Sequence, residues 1–143
     1  MTKGGLHPAV AGAVAATVWG LLELVDRRLA RCDYSDIAIL GKAVTRGRWW
    51  RPAGFAIHAA NGALFGLAFD AARRRIRIGD GRLAVTMALS EHVVLYPLGY
   101  LVDRFHPARN EEGIPPLLTN PRALAQATVR HALFGVLLGR LSR

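Results

Sequence analysis

The stretch Ser90-Glu91-His92-Val93-Val94-Leu95-Tyr96-Pro97 decides how this chain is read, because it sets a carboxylate, an imidazole and a helix-breaking proline inside the otherwise apolar run from Leu83 to Val102. That run has the ~20 residues a helix needs to cross a bilayer. In such a span Glu91 and His92 lie near mid-membrane, where ionisable side chains are costly and therefore mark either a functional site or a buried pair. Pro97 has no N–H, so the helix should kink there and leave the Val93 carbonyl without its donor.

Three more apolar runs flank this one, so that spans are expected at about 8–28, 52–72, 82–103 and 121–141. Pro8, Pro52 and Pro121 stand where a first helical residue would be, a position that tolerates proline, and Asn120 precedes Pro121 as a capping residue. Asp80-Gly81 supplies a turn and cap for the third run. With 143 residues, 52% of them hydrophobic, and mean hydropathy +0.22, the chain reads as a single integral membrane domain covering residues 1–143. The expected class is all-α, a four-transmembrane-helix bundle. A water-soluble bundle would show a polar face along every helix, and the first and third runs have almost none. Small residues recur four apart, as in Gly12/Ala16/Gly20, Gly54 with Gly62/Gly66, and Gly135/Gly139, which allows close helix packing.

The net charge of +9 falls mainly between the runs, at Arg27-Arg28, Arg46 to Arg51 and Arg73-Arg74-Arg75, which is the pattern of membrane flanks and not of a nucleic-acid surface. Membrane lipids, with a homo-oligomer or membrane-complex partner, are the expected neighbours. Trp49 and Trp50, between Arg48 and Arg51, read as interfacial anchors. The short second loop is dense with Arg73, Arg74, Arg75, Arg77 and Arg82, which argues for cytoplasmic termini. The N-terminal run after Lys3 is followed by Glu23, Asp26, Arg27 and Arg28 without a convincing small-residue cleavage site, so it reads as a retained helix. Cys32 is the only cysteine, which excludes an intrachain disulfide and a thiolate metal cage. The first loop, about 29–51, reads as a short amphipathic helix in the interface, and the third, about 104–120, as irregular.

An internal repeat is legible in two registers. Leu24-Val25-Asp26-Arg27 recurs as Leu101-Val102-Asp103-Arg104, and Ala63-Leu64-Phe65-Gly66 as Ala132-Leu133-Phe134-Gly135. His58/Gly62/Gly66 and His131/Gly135/Gly139 share a spacing that differs from the second match by one turn. Either register describes two similar helical hairpins in parallel orientation about an axis along the membrane normal.

Counting depth at about 1.5 Å per residue puts Glu23 and His58 about 8–10 Å from the side of loops one and three. Glu91, His92, Arg130 and His131 fall near the centre, with Asn61 between the two layers. The plainest reading pairs Glu91 with Arg130 and Glu23 with His58, so that the layers hold the bundle together. A sharper one makes them a path for protons or ions. A third uses His58, His92 and His131, with Glu23 and Glu91, for a metal or haem, although Glu91 and His92 point about 100° apart on a helix and cannot easily chelate one ion. No cofactor is otherwise called for. A lipid-modifying enzyme would need a nucleophile and base at a recognisable spacing, and none is present, so a non-enzymatic role is favoured. His7 and His106 read as solvated, and Asp26/Arg27 and Asp103/Arg104 as helix-end ion pairs.

The run His92-Val93-Val94-Leu95-Tyr96-Pro97-Leu98, the histidine ahead of a small Phe-containing helix from His58 to Phe69, and the final helix with His131 together resemble the YagU-like family of small bacterial inner-membrane proteins, whose function is not established. The resemblance covers roughly the last ninety residues. It implies a bacterial inner-membrane address and a role in envelope or acid stress, and supplies no catalytic residues. The loop before the second run is shorter here than in the family, and Arg130-His131 has no clear counterpart.

Overall fold

A computed structural model describes residues 4–143, so Lys3 lies outside the described residues. Within them the regular structure is helical: α1 (Pro8–Ala30), α2 (Asp36–Val44), α3 (Trp50–Arg73), α4 (Asp80–Leu95), a 3₁₀ turn (Tyr96–Leu98), α5 (Gly99–Phe105) and α6 (Pro121–Leu141). α4, the turn and α5 run on from one another, so the described residues build four long rods and a short one. The 3₁₀ turn falls where Pro97 cannot donate to the preceding turn. Pro8 and Pro121 occupy first-turn positions, and the Asn120 side chain accepts from the N–H groups of Arg122 and Ala123 at 3.1 and 3.2 Å. His7 caps α1 by accepting from the Ala9 N–H.

Three rods, α1, α3 and Asp80–Phe105, are long and apolar enough to cross a membrane. α6 is of similar length but carries Arg122, Arg130, His131 and Arg140, and is not among them. α1 packs along α3, α4 along α6, and α1 also meets α6, whereas α3 and α4 touch little. Backbones come close where glycine removes the side chain: a methyl on Gly12 would overlap the Gly62 carbonyl, and one on Gly135 would stand 2.6 Å from Val85 Cα. Apolar packing is concentrated at the two ends, around Phe69, Leu83 and Leu138 at one and around Cys32, Tyr34, Leu117 and Ala127 at the other.

The first loop is more than an interfacial strip. Its helix α2 folds back onto α3, burying Ile37, Ala38, Gly41 and Lys42, and Ser35 Oγ caps it by accepting from the Ala38 N–H at 3.0 Å. The third loop lies over α2. Ser35 N–H donates to the Gly113 carbonyl at 2.9 Å, Lys42 Nζ to the Glu112 carbonyl at 2.8 Å, and the His106 Nε2–H to the Ile39 carbonyl at 2.9 Å. His106 is therefore buried and structural, not solvated, because its imidazole ties loop three to the backbone of α2. Asp103 likewise does not pair with Arg104: its carboxylate accepts from the Leu117 and Leu118 N–H groups at 2.8 and 3.0 Å and holds the loop against α5. Trp49 is exposed, and Trp50 is partly buried with Lys42 and Arg51 over its ring.

Candidate functional site

The site begins with Arg130 of α6, only 2% exposed despite its charge. A guanidinium has five N–H groups, and here each has an acceptor. Nε and Nη2 hold the two Asp26 oxygens at 2.7 and 2.8 Å, Nη2 also reaches the Tyr34 carbonyl at 3.0 Å, and Nη1 reaches Asp36 at 2.9 Å and Glu23 at 3.4 Å. The rings of Trp19 and Tyr34 lie 4.6 and 4.7 Å from its central carbon. Elements far apart in sequence, α1, α2 and α6, are thus joined by one side chain.

The acids around it are themselves held. Glu23 sits at the N-terminus of α2, accepting from the Ser35 hydroxyl and from the Asp36 and Ile37 N–H groups at 2.8 and 3.3 Å, where the helix dipole favours negative charge. Asp36 accepts from the Tyr34 hydroxyl and, at 3.4 Å, from the Trp19 indole. Burial pushes the Asp36 carboxyl upward, but the Arg130 charge, with His58 and the Tyr34 hydroxyl, outweighs it and holds the group below its ordinary value. Burial and the neighbouring Asp36 charge push the Tyr34 phenol well above its own.

Beside this clasp lies a cavity of about 240 Å³. Its polar wall is Asp36, His58, Asn61, Glu91, Arg130 and His131, and its aromatic wall is Trp19, Phe65 and Phe134. Phe65 and Phe134 meet edge to face at 5.2 Å. The His58 Nε2 atom is buried without a partner. His131 donates Nδ1–H to the Ala127 carbonyl at 2.8 Å. Thr128 gives its hydroxyl proton to the Leu124 carbonyl, so His92 Nε2–H is the donor in the 2.9 Å contact with Thr128 Oγ1. The His92 and His131 rings lie 4.7 Å apart.

Most of the residues singled out from sequence come together here, but not in the pairs expected. Arg130 does not pair with Glu91, because its long side chain reaches the α1 and α2 carboxylates instead. Glu23 does not pair with His58, because α2 brings a helix N-terminus to it. Glu91 makes no hydrogen bond or ion pair among the described residues and borders the cavity, while His92, one position on, faces α6. Asp26 is a ligand of Arg130 and not a partner of Arg27, which pairs with Asp33. Among the described residues no group of three or more His, Cys, Asp or Glu side chains is placed to hold a metal ion; of His58, His92 and His131, the last two are in ring contact.

Tyr34 and Asp36 were not singled out from sequence. Ser35 ahead of an apolar stretch does signal a helix start, yet nothing local says that Asp36 turns inward to an arginine of α6. No family model, curated protein or solved structure matches the chain.

Proposed function

We propose that this is a four-span, non-enzymatic integral membrane protein of a bacterial inner membrane, with cytoplasmic termini, whose cavity binds and passes protons or cations through Glu91. One observation carries the reading. The cavity gathers Glu91, Asp36, His58, Asn61 and His131 from four helices, while its single arginine has no donor left to offer a ligand. Three carboxylates surround that arginine, so its charge is met within the protein, and Glu91 stands without an ion-pair partner to take up a proton or a cation. Burying Arg130 against acids of α1 and α2 also lets α6 serve as the fourth span, since an intramembrane charge is tolerated when it faces the bundle interior and is paired.

The two hairpins are a duplicated unit in the same reading. Gly62 meets Gly12 and Ala16 while Gly66 meets Pro8, and Gly135 meets Ala84 and Val85 while Gly139 meets Gly81, which supports the His/Gly/Gly register over the Ala-Leu-Phe-Gly one. The similarity to YagU-like proteins fits this architecture and remains part of the proposal.

The test is flux in proteoliposomes carrying the full chain. Wild type should dissipate an imposed pH or cation gradient faster than empty vesicles, and Glu91→Gln should abolish the difference. Equal flux from the two proteins would remove Glu91 as the carrier and overturn the reading.

A further inference from the structure

We propose that the cavity beside Arg130 is a binding site for a small organic ammonium ion, with Glu91 as its counter-ion. The inference rests on the reading of this cavity as cation-binding and names the class of cation. A hard inorganic cation takes several oxygen ligands at short range, and the described residues present no cluster of that kind. An organic ammonium is held instead by aromatic faces and one or two carboxylates. The lining supplies both, with Trp19, whose ring also carries Arg130, Phe65 and Phe134 as its aromatic members and Glu91 as its unpaired carboxylate. His58 Nε2, buried without a partner, and Asn61 one turn further along α3 are available to a ligand's N–H groups. Arg130 does not oppose the ligand's charge, because three carboxylates already neutralise it. A volume of about 240 Å³ holds about eight waters or a ligand of about as many heavy atoms.

α3 and α4 make little contact, and Leu40 of α2 and Leu95 of α4 line the cavity, which gives an apolar tail on the ammonium a surface to lie on. Lining the same cavity as Glu91 are Asp36 from α2, His58 from α3, and Arg130 and His131 from α6, while α1 contributes Trp19 and sets Glu23 against Arg130. Glu91 is the carboxylate of this set without a protein partner, so it holds either a proton or the ammonium. Binding to the protonated form releases one proton to solution, and ammonium and proton compete for the same group.

Isothermal titration calorimetry of the purified full chain in detergent tests this, with tetramethylammonium and n-butylammonium chlorides as probes and n-butanol as the neutral control. Runs in two buffers of different ionisation enthalpy count the protons released. Both ammonium ions should bind with proton release and n-butanol should not. Glu91→Gln should weaken binding by about tenfold or more and abolish the release, Glu91→Asp should retain both, and Phe134→Leu should weaken binding roughly fivefold. The inference is overturned if wild type binds neither ammonium, if n-butanol binds as well as n-butylammonium, or if folded Glu91→Gln binds like wild type. Glu91-dependent proton flux without ammonium binding would sink this inference and leave the proposed function standing. Ammonium binding without flux would uphold the site and sink transport.

Discussion

The α1/α3 pair and the α4/α6 pair are closed by the same means, glycine against backbone, yet they contribute differently where they meet. The first pair brings acid: Glu23 and Asp26 from α1, and Asp36 from the helix folded into its connecting loop. The second brings one guanidinium, together with Glu91 and the two histidines in ring contact. Its Asp103, at the end of α5, accepts from the Leu117 and Leu118 N–H groups, and its loop acids Glu111 and Glu112 face Lys42, Arg46 and Arg27. Backbone proximity thus builds each pair, whereas the charge pattern decides what lies between them. The cavity is found at that junction and not inside either pair.

The comparison breaks most severely at Arg130. Arg130→Leu strands three carboxylates and should cost about 3–5 kcal/mol, read as a lower detergent melting temperature or loss of the folded peak in size exclusion. Arg130→Lys should recover only part of this, because an ammonium cannot span the Asp26 fork. A wild-type melting temperature in Arg130→Leu would mean that the pairs are held by apolar contact alone. Next come the seams, where added methyls should cost about 1–3 kcal/mol each. Gly12→Ala should exceed Gly135→Ala, since the first overlaps a carbonyl oxygen and the second meets Val85 Cα at 2.6 Å. The reverse order would show that the second seam is the tighter one.

A smaller effect follows from Asp36, whose folded carboxyl titrates below its ordinary value of 3.8. A depressed carboxyl contributes stability that is complete above its unfolded value and is lost as pH falls through its folded value. The gap in melting temperature between wild type and Asp36→Asn should therefore shrink as pH falls below about 4. A gap that holds undiminished down to about pH 2 would mean that the Asp36 charge contributes nothing to the pairing with Arg130. The smallest effect belongs to Gly81→Ala, within about 0.5 kcal/mol, because the new methyl meets only the flexible end of Arg143 at 3.2 Å.

The long helices were legible because each is announced locally. Proline at the first turn, Asn120 before Pro121 and some twenty apolar residues mark where they run, and Pro97 marks the 3₁₀ turn. The membership of the cavity was partly legible too: counting depth set His58 in one layer and Glu91, Arg130 and His131 in the next with Asn61 between, and all five line one cavity. Pairing was not. Depth counts backbone positions, whereas the Arg130 side chain is long enough to leave its own layer for that of Glu23. The loop helix was the larger gap. Asp36 lies 94 residues from Arg130, and a nine-residue helix with Lys42 and Asp36 at its ends reads as a surface strip until its partner is known. His106 and Asp103 were misread for the same reason, as their partners are backbone groups of α2 and of loop three that a residue pattern does not place.

The satisfied guanidinium also bears on how the chain is made. α6 is the long helix that falls short of membrane-like apolarity, and its central arginine finds acceptors only on segments synthesised about a hundred residues earlier. In the four-span reading, α6 can settle in the bilayer only once α1 and α2 are waiting for it. Biogenesis then has an obligatory order, with the last helix admitted by the first.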